Sequence, residues 1–245
     1  SVLLNCLLTP LLLFFFYQVN VLTVIFNMLV VPYFNWVVMP VTFGNIFIFN
    51  FNQGISQFSE RILKMGEEII GKFSQSKMGL LTFGQINWWQ CIILLLITIL
   101  FIIALKEKPE WQVNYKKLTY ILIGTYLIFF SMIHFPLRGQ VTFIDVGQGD
   151  SILITTPFPR RVYMIDTGGK LNFTGKKMTP QLNRITIPFL KSQGINRIDG
   201  LFVSHQDADH VGGLAPLLEQ VNVKKLFMAK GLIKNPSFQK RLNGR

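Results

Sequence analysis

The stretch that decides the fold is Leu201–Gly213, which reads LFVSHQDADHVGG. Its apolar start predicts a strand, and its two closing glycines allow the backbone to turn closely into a helix. The loop between them carries four side chains able to bind a metal ion: His205, Asp207, Asp209 and His210. Imidazole and carboxylate groups are ligands for divalent metal ions. The stretch therefore predicts a divalent metal centre at the end of a strand.

Composition divides the chain into two unlike parts. Residues 1–135 are apolar and rich in Phe, and hold eight Lys/Arg against five Asp/Glu, a net charge of +3. Residues 136–245 have the mixed composition of a soluble domain, and hold sixteen Lys/Arg against seven Asp/Glu, a net charge of +9. This basic excess favours an anionic partner, either nucleic acid or an acidic membrane surface. A solvated basic face without a partner remains the third interpretation.

Two stretches of the first part predict membrane helices. Residues 88–105 and 118–135 contain no Asp, Glu, Lys or Arg, and each is long enough to cross a bilayer. The intervening segment Lys106–Lys117 carries four Lys and two Glu, which predicts a cytoplasmic loop. The second helix then leads outward, so we expect the soluble domain, from about residue 140, to lie outside the cytoplasm.

Residues 1–49 also contain no charged side chain, and they are long enough for two spans or for spans mixed with re-entrant pieces. Pro10, Pro32 and Pro40 interrupt this part. The prolines indicate either ordinary helix ends and kinks or broken helices that line a pore.

The segment 58–78 differs from its apolar neighbours. Glu60 and Lys64 stand at helical spacing, and apolar residues can share the opposite face. This pattern predicts an amphipathic helix, which either lies on the membrane surface or packs on the membrane bundle. The two cysteines, Cys6 and Cys91, lie in apolar stretches without metal spacing and are expected to pack as small hydrophobic residues.

The second part reads as strands joined by turns. Val141–Val146, Ser151–Thr155 and Arg161–Ile165 are short apolar runs separated by turn residues, which predicts hairpins. A helix is expected over about 184–193, and the strand Ile198–Val203 leads into the metal loop. Hairpins followed by an alternation of strands and helices predict an α+β fold.

The run His-x-Asp-x-Asp-His followed by Gly-Gly resembles the signature of the metallo-β-lactamase fold. The resemblance implies an αββα domain. Asp207 stands where the common pattern has a second His. Carboxylate is a harder ligand than imidazole, so this departure shifts the preference toward Mn or Mg and away from Zn.

The same variant run occurs in the ComEC family of DNA-internalisation competence proteins, which this chain resembles. The string Asp145–Asp150, DVGQGD, soon after the last apolar stretch carries the resemblance further. Asn27–Pro40 and Thr9–Phe16 are softer matches to the same family. The resemblance implies a multi-pass helical region of a competence channel in the bacterial cell membrane over 1–135. The start of a metallo-β-lactamase-like domain would follow over 140–245.

Chemistry and resemblance together assign roles to the cluster. They imply two metal ions, Mn or Zn, with His205 and Asp207 on the first and Asp209 and His210 on the second. Asp209 is also the catalytic candidate, because a carboxylate beside metal ions can accept a proton from the attacking water.

Three positions outside the loop complete the candidate site. Asp166, at the end of a predicted strand, is expected to brace the metal loop, or else to serve only as a turn former. Asp150 is a candidate for a position close to the site. Gly147 and Gly149 are expected to form a tight turn.

The resemblance implies a DNA-uptake channel with a nuclease that degrades the strand that is not transported. Its partners would be single- and double-stranded DNA, membrane lipid and other proteins of the uptake machinery. Two alternatives are a membrane-tethered metallo-hydrolase of a small molecule and a channel whose metal domain is not catalytic.

The metallo-β-lactamase pattern also has later His and Asp ligands, whereas this sequence has no His after His210. Together with the start at Ser1 inside an apolar stretch, this predicts a truncated chain. Such a fragment is expected to bind metal weakly and to be inactive by itself.

Overall fold

The fold was obtained as a computed structural model. It describes residues 2–47, 53–75, 79–107, 115–147, 149–169, 181–234 and 238. The chain forms two compact units, one of residues 1–8 and 19–81 and the other of residues 9–18 and 82–245.

Apolar helices make up most of the chain before residue 48. Helix α1 covers Val2–Phe16 and α2 covers Thr23–Tyr33. A five-residue π-helix, Phe34–Val38, joins α2 directly to α3, Met39–Phe47. The short strand β1, Gln18–Asn20, pairs with β2, Leu80–Thr82.

The prolines of this region lie inside helices. Helix α1 continues through Pro10, and the helical segment from α2 to α3 continues through Pro32 and Pro40. Proline removes one backbone donor from a helix, and a π-turn shifts the hydrogen-bond ladder by one residue. The described helices therefore continue through all three prolines.

The charged helix α4 covers Gln53–Gln75. Lys64 and Glu60 form an ion pair at 2.7 Å on its exposed face, as helical spacing predicts. The Tyr33 hydroxyl donates to the Ile62 carbonyl at 3.3 Å, so α2 contacts α4. The amphipathic helix was predicted over 58–78, of which residues 76–78 lie outside the described part.

Helices α5, Trp88–Glu107, and α6, Tyr115–His134, pack against each other. The rings of Trp89 and Phe129 meet edge to face with centroids 5.8 Å apart. Among the described residues, three helices are long and apolar enough to cross a membrane: 23–44, 88–105 and 116–134. The last two coincide with the stretches singled out by the sequence.

The remainder is built on a five-stranded mixed sheet. Its strands are β3, Gln140–Phe143; β4, Ile152–Thr155; β5, Val162–Ile165; β7, Gly200–Val203; and β9, Leu226–Met228. The order is β3-β4-β5-β7-β9, antiparallel from β3 to β5 and parallel from β5 to β9. Two shorter strands, β6, Arg197–Ile198, and β8, Asn222–Val223, pair with each other in parallel.

One face of the sheet is covered by helices. The helices of this part are α7, Ile187–Ser192; α8, Ala208–Val211; α9, Leu214–Gln220; and α10, Lys230–Ile233. Met164 and Leu201 are fully buried in a core that also contains Leu190 and Leu217. On the other face Phe202 and Phe227 stack with ring centroids 4.6 Å apart and remain partly exposed. Alternation along each strand explains this division, because successive side chains point to opposite faces.

The expected architecture, a helical membrane-type region followed by an α+β domain, is confirmed. Two details differ. The predicted strand Ile198–Val203 is divided at Asp199, whose main-chain N–H bonds the Val162 carbonyl at 2.8 Å. The helix expected over 184–193 begins as a π-helix, Leu182–Thr186, and continues as α7.

Candidate metal centre

The cluster lies where two parallel strands end side by side. Asp166 directly follows β5, and Ser204 and His205 directly follow β7. The Asp166 N–H donates to the Phe202 carbonyl at 2.8 Å, which continues the ladder between the strands. Because carboxyl ends of adjacent parallel strands share one edge, residues far apart in sequence converge here.

Asp166 is the buried anchor of this edge. It is only 3% exposed and has a left-handed backbone with φ of 53°, which Asp tolerates better than most residues. Oδ1 accepts the Ser204 N–H at 2.8 Å, and Oδ2 accepts the Ser204 hydroxyl at 2.5 Å. Oδ2 also accepts from Nδ1 of His210 at 3.0 Å. Asp166 thus contacts both Ser204 and His210, and its bracing of a metal loop stays a prediction.

In the neutral form of each histidine, these bonds favour the tautomer with its proton on Nδ1. A carboxylate only accepts, so His210 carries its proton on Nδ1. The Ser204 hydroxyl gives its proton to Asp166, so its oxygen accepts from Nδ1 of His205 at 2.8 Å. Both neutral imidazoles then present an Nε2 lone pair, as metal-binding histidines do; a carboxylate holds the other nitrogen of His210, and a hydroxyl holds that of His205.

The Nε2 atoms face the two carboxylates of the loop. His205 Nε2 lies 3.6 Å from Asp207 Oδ2, and His210 Nε2 lies 3.5 Å from Asp209 Oδ2. Two ligand atoms that share one ion at about 2.1 Å stand roughly 3 to 3.5 Å apart, so these pairs have the separation that a shared metal requires.

Two overlapping groups have ligand atoms within 4.8 Å of one another: Asp166, His205 and His210, and His205, Asp207 and Asp209. The donor set therefore fits a divalent ion. His205 belongs to both groups, whereas the sequence had assigned it to one ion only. The histidine rings are 3.8 Å apart, which keeps all these groups within one small site.

Exposure differs among the ligands in a way that suits substrate access. The side chains of Asp207, His205 and Asp209 are 67%, 46% and 43% exposed, whereas that of His210 is 14% exposed. His210 thus lies against the core, whereas His205, Asp207 and Asp209 are accessible to solvent.

Glycines allow the loops to approach closely. A Cβ on Gly149 would lie 1.7 Å from the Asp209 carbonyl oxygen, and one on Gly169 would lie 2.3 Å from the Ala208 carbonyl oxygen. Gly149 also has a φ of 85°. The sequence predicted a turn at Gly149, and the structure adds that its missing side chain makes room for the metal loop.

The remaining expectation concerned Asp150. Its carbonyl accepts the Gly168 N–H at 3.0 Å, so its main chain adjoins the site. Its exposed carboxylate is in neither ligand group. Ser204 was overlooked as a functional residue, although its place between a strand end and His205 was a usable signal.

Comparisons with known proteins agree with this architecture. The family model described as Metallo-beta-lactamase superfamily matches residues 144–231, and the model described as Competence protein matches residues 1–108. Fold, site and matches define a membrane protein that carries a metallo-β-lactamase domain.

One relative indicates which kind of membrane protein this chain resembles. ComE operon protein 3 of Bacillus subtilis (strain 168) is 28% identical over 254 aligned residues, which cover 95% of this chain and 31% of that protein. With both family matches in the same order, the chain is similar to competence proteins of the ComEC type over most of its length. The chain spans about a third of the length of this relative.

Proposed function

We propose that the chain is part of a DNA-uptake channel whose metal domain hydrolyses phosphodiester bonds in the strand that is not transported. The observation that carries the proposal is the Asp166-anchored cluster in a domain whose first strand begins six residues after a membrane-type helix. The similarity of the chain to the Competence protein model and to ComE operon protein 3 supports the role in DNA uptake.

The chain's own residues have distinct tasks in this proposal. His205 and Asp207 hold one ion, and His210 holds a second with Asp209. Bound divalent metal, Mn or Zn, would lower the pKa of water and stabilise negative charge developing on a phosphate. The Asp209 carboxylate accepts the proton of the attacking water, because it is the partly exposed acid beside His210.

Charge supports a nucleic-acid substrate. Residues 136–245 have a net charge of +9, and lysine and arginine attract backbone phosphate without regard to base sequence. A lactone or thioester offers no comparable polyanion, so a small-molecule hydrolase would not need this charge.

The test uses Asp209→Ala, with Glu219→Ala on the exposed surface of α9 as the matched loss of a carboxylate. We expect Mn-dependent cleavage of an oligonucleotide by the whole protein to fall at least about a hundredfold in Asp209→Ala and to stay unchanged in Glu219→Ala. The reason is that metal-assisted hydrolysis depends on several kcal/mol of transition-state stabilisation.

Cells carrying Asp209→Ala should lose transformation by double-stranded DNA and keep much of it with single-stranded DNA. Equal transformation by parent and variant with both substrates would leave a channel with a non-catalytic metal domain. Metal-dependent cleavage of a lactone but not of DNA would favour the small-molecule hydrolase.

We further propose that the metal domain lies outside the cytoplasm, because the stretch Lys106–Lys117, which includes the end of α5 and the start of α6, carries four Lys and two Glu. Cysteine at the exposed position of Lys230 should react with a membrane-impermeant thiol reagent on intact cells. Reaction only after lysis would place the domain inside.

A further inference from the structure

The two ends of the five-stranded sheet carry opposite charge. The end where β5, β7 and β9 begin, here called the basic end, carries Arg138, Arg160, Arg161, Arg197, Lys224 and Lys225. Of the described acidic residues, only Asp199 lies there, between Lys224 at 3.1 Å and Arg197 at 3.6 Å. The opposite end carries the metal cluster and its carboxylates.

The basic end adjoins the last turn of α6. Arg160 donates from Nη1 to the Ile133 carbonyl at 3.2 Å and from Nη2 to the Gln193 carbonyl at 2.7 Å. It thus joins the C-terminus of α6 to that of α7, where both helix dipoles favour a cation. The Gln85 N–H, just before α5, donates to the Ser192 carbonyl at 2.6 Å. The basic end is therefore held against the end of the helical hairpin.

That position coincides with a membrane surface. Helix α6 is long and apolar enough to cross a bilayer over residues 116–134, so its last turn, at Ile133, marks where hydrocarbon gives way to headgroups. Five residues separate this helix from β3, and they leave the basic end little distance from the headgroups.

Apolar side chains protrude from the same end. Leu137 is 88% exposed and Phe158 is 69% exposed. The Phe158 ring stacks on Phe135 with centroids 5.8 Å apart, which joins its turn to the chain leaving α6. The exposed guanidinium groups of Arg138 and Arg161 flank these two apolar positions in sequence. Protruding apolar side chains beside basic ones are typical of surfaces that lie in the bilayer interface.

We propose that the basic end is a lipid-binding surface. Its arginines and lysines bind anionic phospholipid headgroups, and Leu137 and Phe158 enter the interface. The metal centre then faces away from the bilayer, about 13 Å further out, because four-residue strands at about 3.3 Å per residue separate the two ends.

Lipid is favoured over DNA as the occupant by two observations. The surface is continuous with the end of a membrane-type helix, and its most exposed residues are apolar. A DNA backbone would contact the basic residues, but its phosphates offer no apolar surface for Leu137. The proposal does not depend on hydrolysis by the metal centre.

The experiment measures how deeply a spin label at Leu137→Cys or Phe158→Cys enters the bilayer, using the whole chain with its two native cysteines replaced by alanine. Vesicles contain either phosphatidylcholine alone or phosphatidylcholine mixed with phosphatidylglycerol. We expect both labels to be protected from an aqueous nickel complex, more strongly with phosphatidylglycerol. A label at Lys230→Cys, at the metal end, should stay fully accessible in both.

Charge reversal supplies the matched control. Arg138→Glu with Arg161→Glu should lower the ratio of docked to undocked domain by roughly fivefold for each residue, and only in vesicles with phosphatidylglycerol. Arg184→Glu with Lys230→Glu changes the net charge equally but lies away from the basic end, and should have no effect.

Labels at 137 and 158 that are as accessible as the label at 230 would overturn the proposal. So would reversal variants that lose binding of an oligonucleotide while the labels keep their depth, since the basic end would then serve DNA. Cleavage by the metal centre is measured separately, so failure of the lipid surface is distinguishable from failure of the nuclease.

Discussion

The Asp166 carboxylate accepts a hydrogen bond from His210 Nδ1 at 3.0 Å, although 44 positions separate the two residues. Because Asp166 is buried, packing of the core fixes its position. The hydrogen bond to Asp166 then fixes the orientation of the His210 ring. The same oxygen holds Ser204, which in turn orients His205. One buried carboxylate thus orients both imidazoles of the candidate centre.

Ser204→Ala should weaken the binding of Mn²⁺ by about tenfold to a hundredfold, because His205 loses the partner that fixes its ring and tautomer. Titration calorimetry of the chain with Mn²⁺ measures the change. Ser151→Ala is the control, since its hydroxyl donates to the main-chain oxygen of Asp166 at 3.2 Å and not to the carboxylate. Equal Mn²⁺ affinity of the Ser204 variant and the parent would contradict the idea that Asp166 orients His205 through Ser204.

Gly149→Ala should disrupt the centre more than Gly147→Ala. Both glycines have positive φ, so both substitutions bring backbone strain of about 1–2 kcal/mol. Only at Gly149 would the new Cβ meet a carbonyl, that of Asp209 at 1.7 Å; at Gly147 it meets the flexible Gln181 amide at 3.1 Å. Thermal unfolding and Mn²⁺ titration of the two variants compare them. Similar losses in both would show that the close approach has no separate effect.

Asp207→His should shift the metal preference toward Zn. The exposed Asp207 carboxylate is a hard oxygen ligand facing His205, and imidazole suits Zn better. Competition between Mn²⁺ and Zn²⁺ for the chain, followed by the manganese resonance, measures the shift without any activity assay. A parent chain that already prefers Zn as strongly as the variant would count against the argument.

Asp199 should make stability depend on pH in the acid range. Burial raises the pKa of its carboxyl, but the Val162 N–H and Lys224 outweigh burial, so its pKa lies below the usual value. A lowered pKa gives stability that is present above the unfolded-state pKa, about 3.9, and lost as pH falls through the folded-state value.

Asp199→Asn should therefore destabilise the domain by about 1–3 kcal/mol at neutral pH, and the difference from the parent should shrink below about pH 4. Thermal unfolding in detergent at several pH values tests this. Glu68→Gln, at an exposed position of α4, is the control and should not reproduce this difference. A constant difference across the whole pH range would mean that Asp199 does not act through its charge.

Much of this protein follows from its sequence alone. The two uncharged stretches around α5 and α6 predict helices because length and hydrophobicity suffice for that inference. The ligands of Leu201–Gly213 are adjacent in the chain, so their convergence needs no tertiary information. The strands β3, β4, β5 and β7 were predicted too, since their periodicity and turns are local, whereas β1, β2, β8 and β9 were not.

Tertiary structure decided how these pieces work together. Asp166 reaches Ser204 and His210 only because β5 and β7 pair in parallel in one register, and register between distant strands is not written in any local pattern. The strand order of the whole sheet gathers basic residues from four separate segments beside the end of α6. The composition alone gives only their net charge.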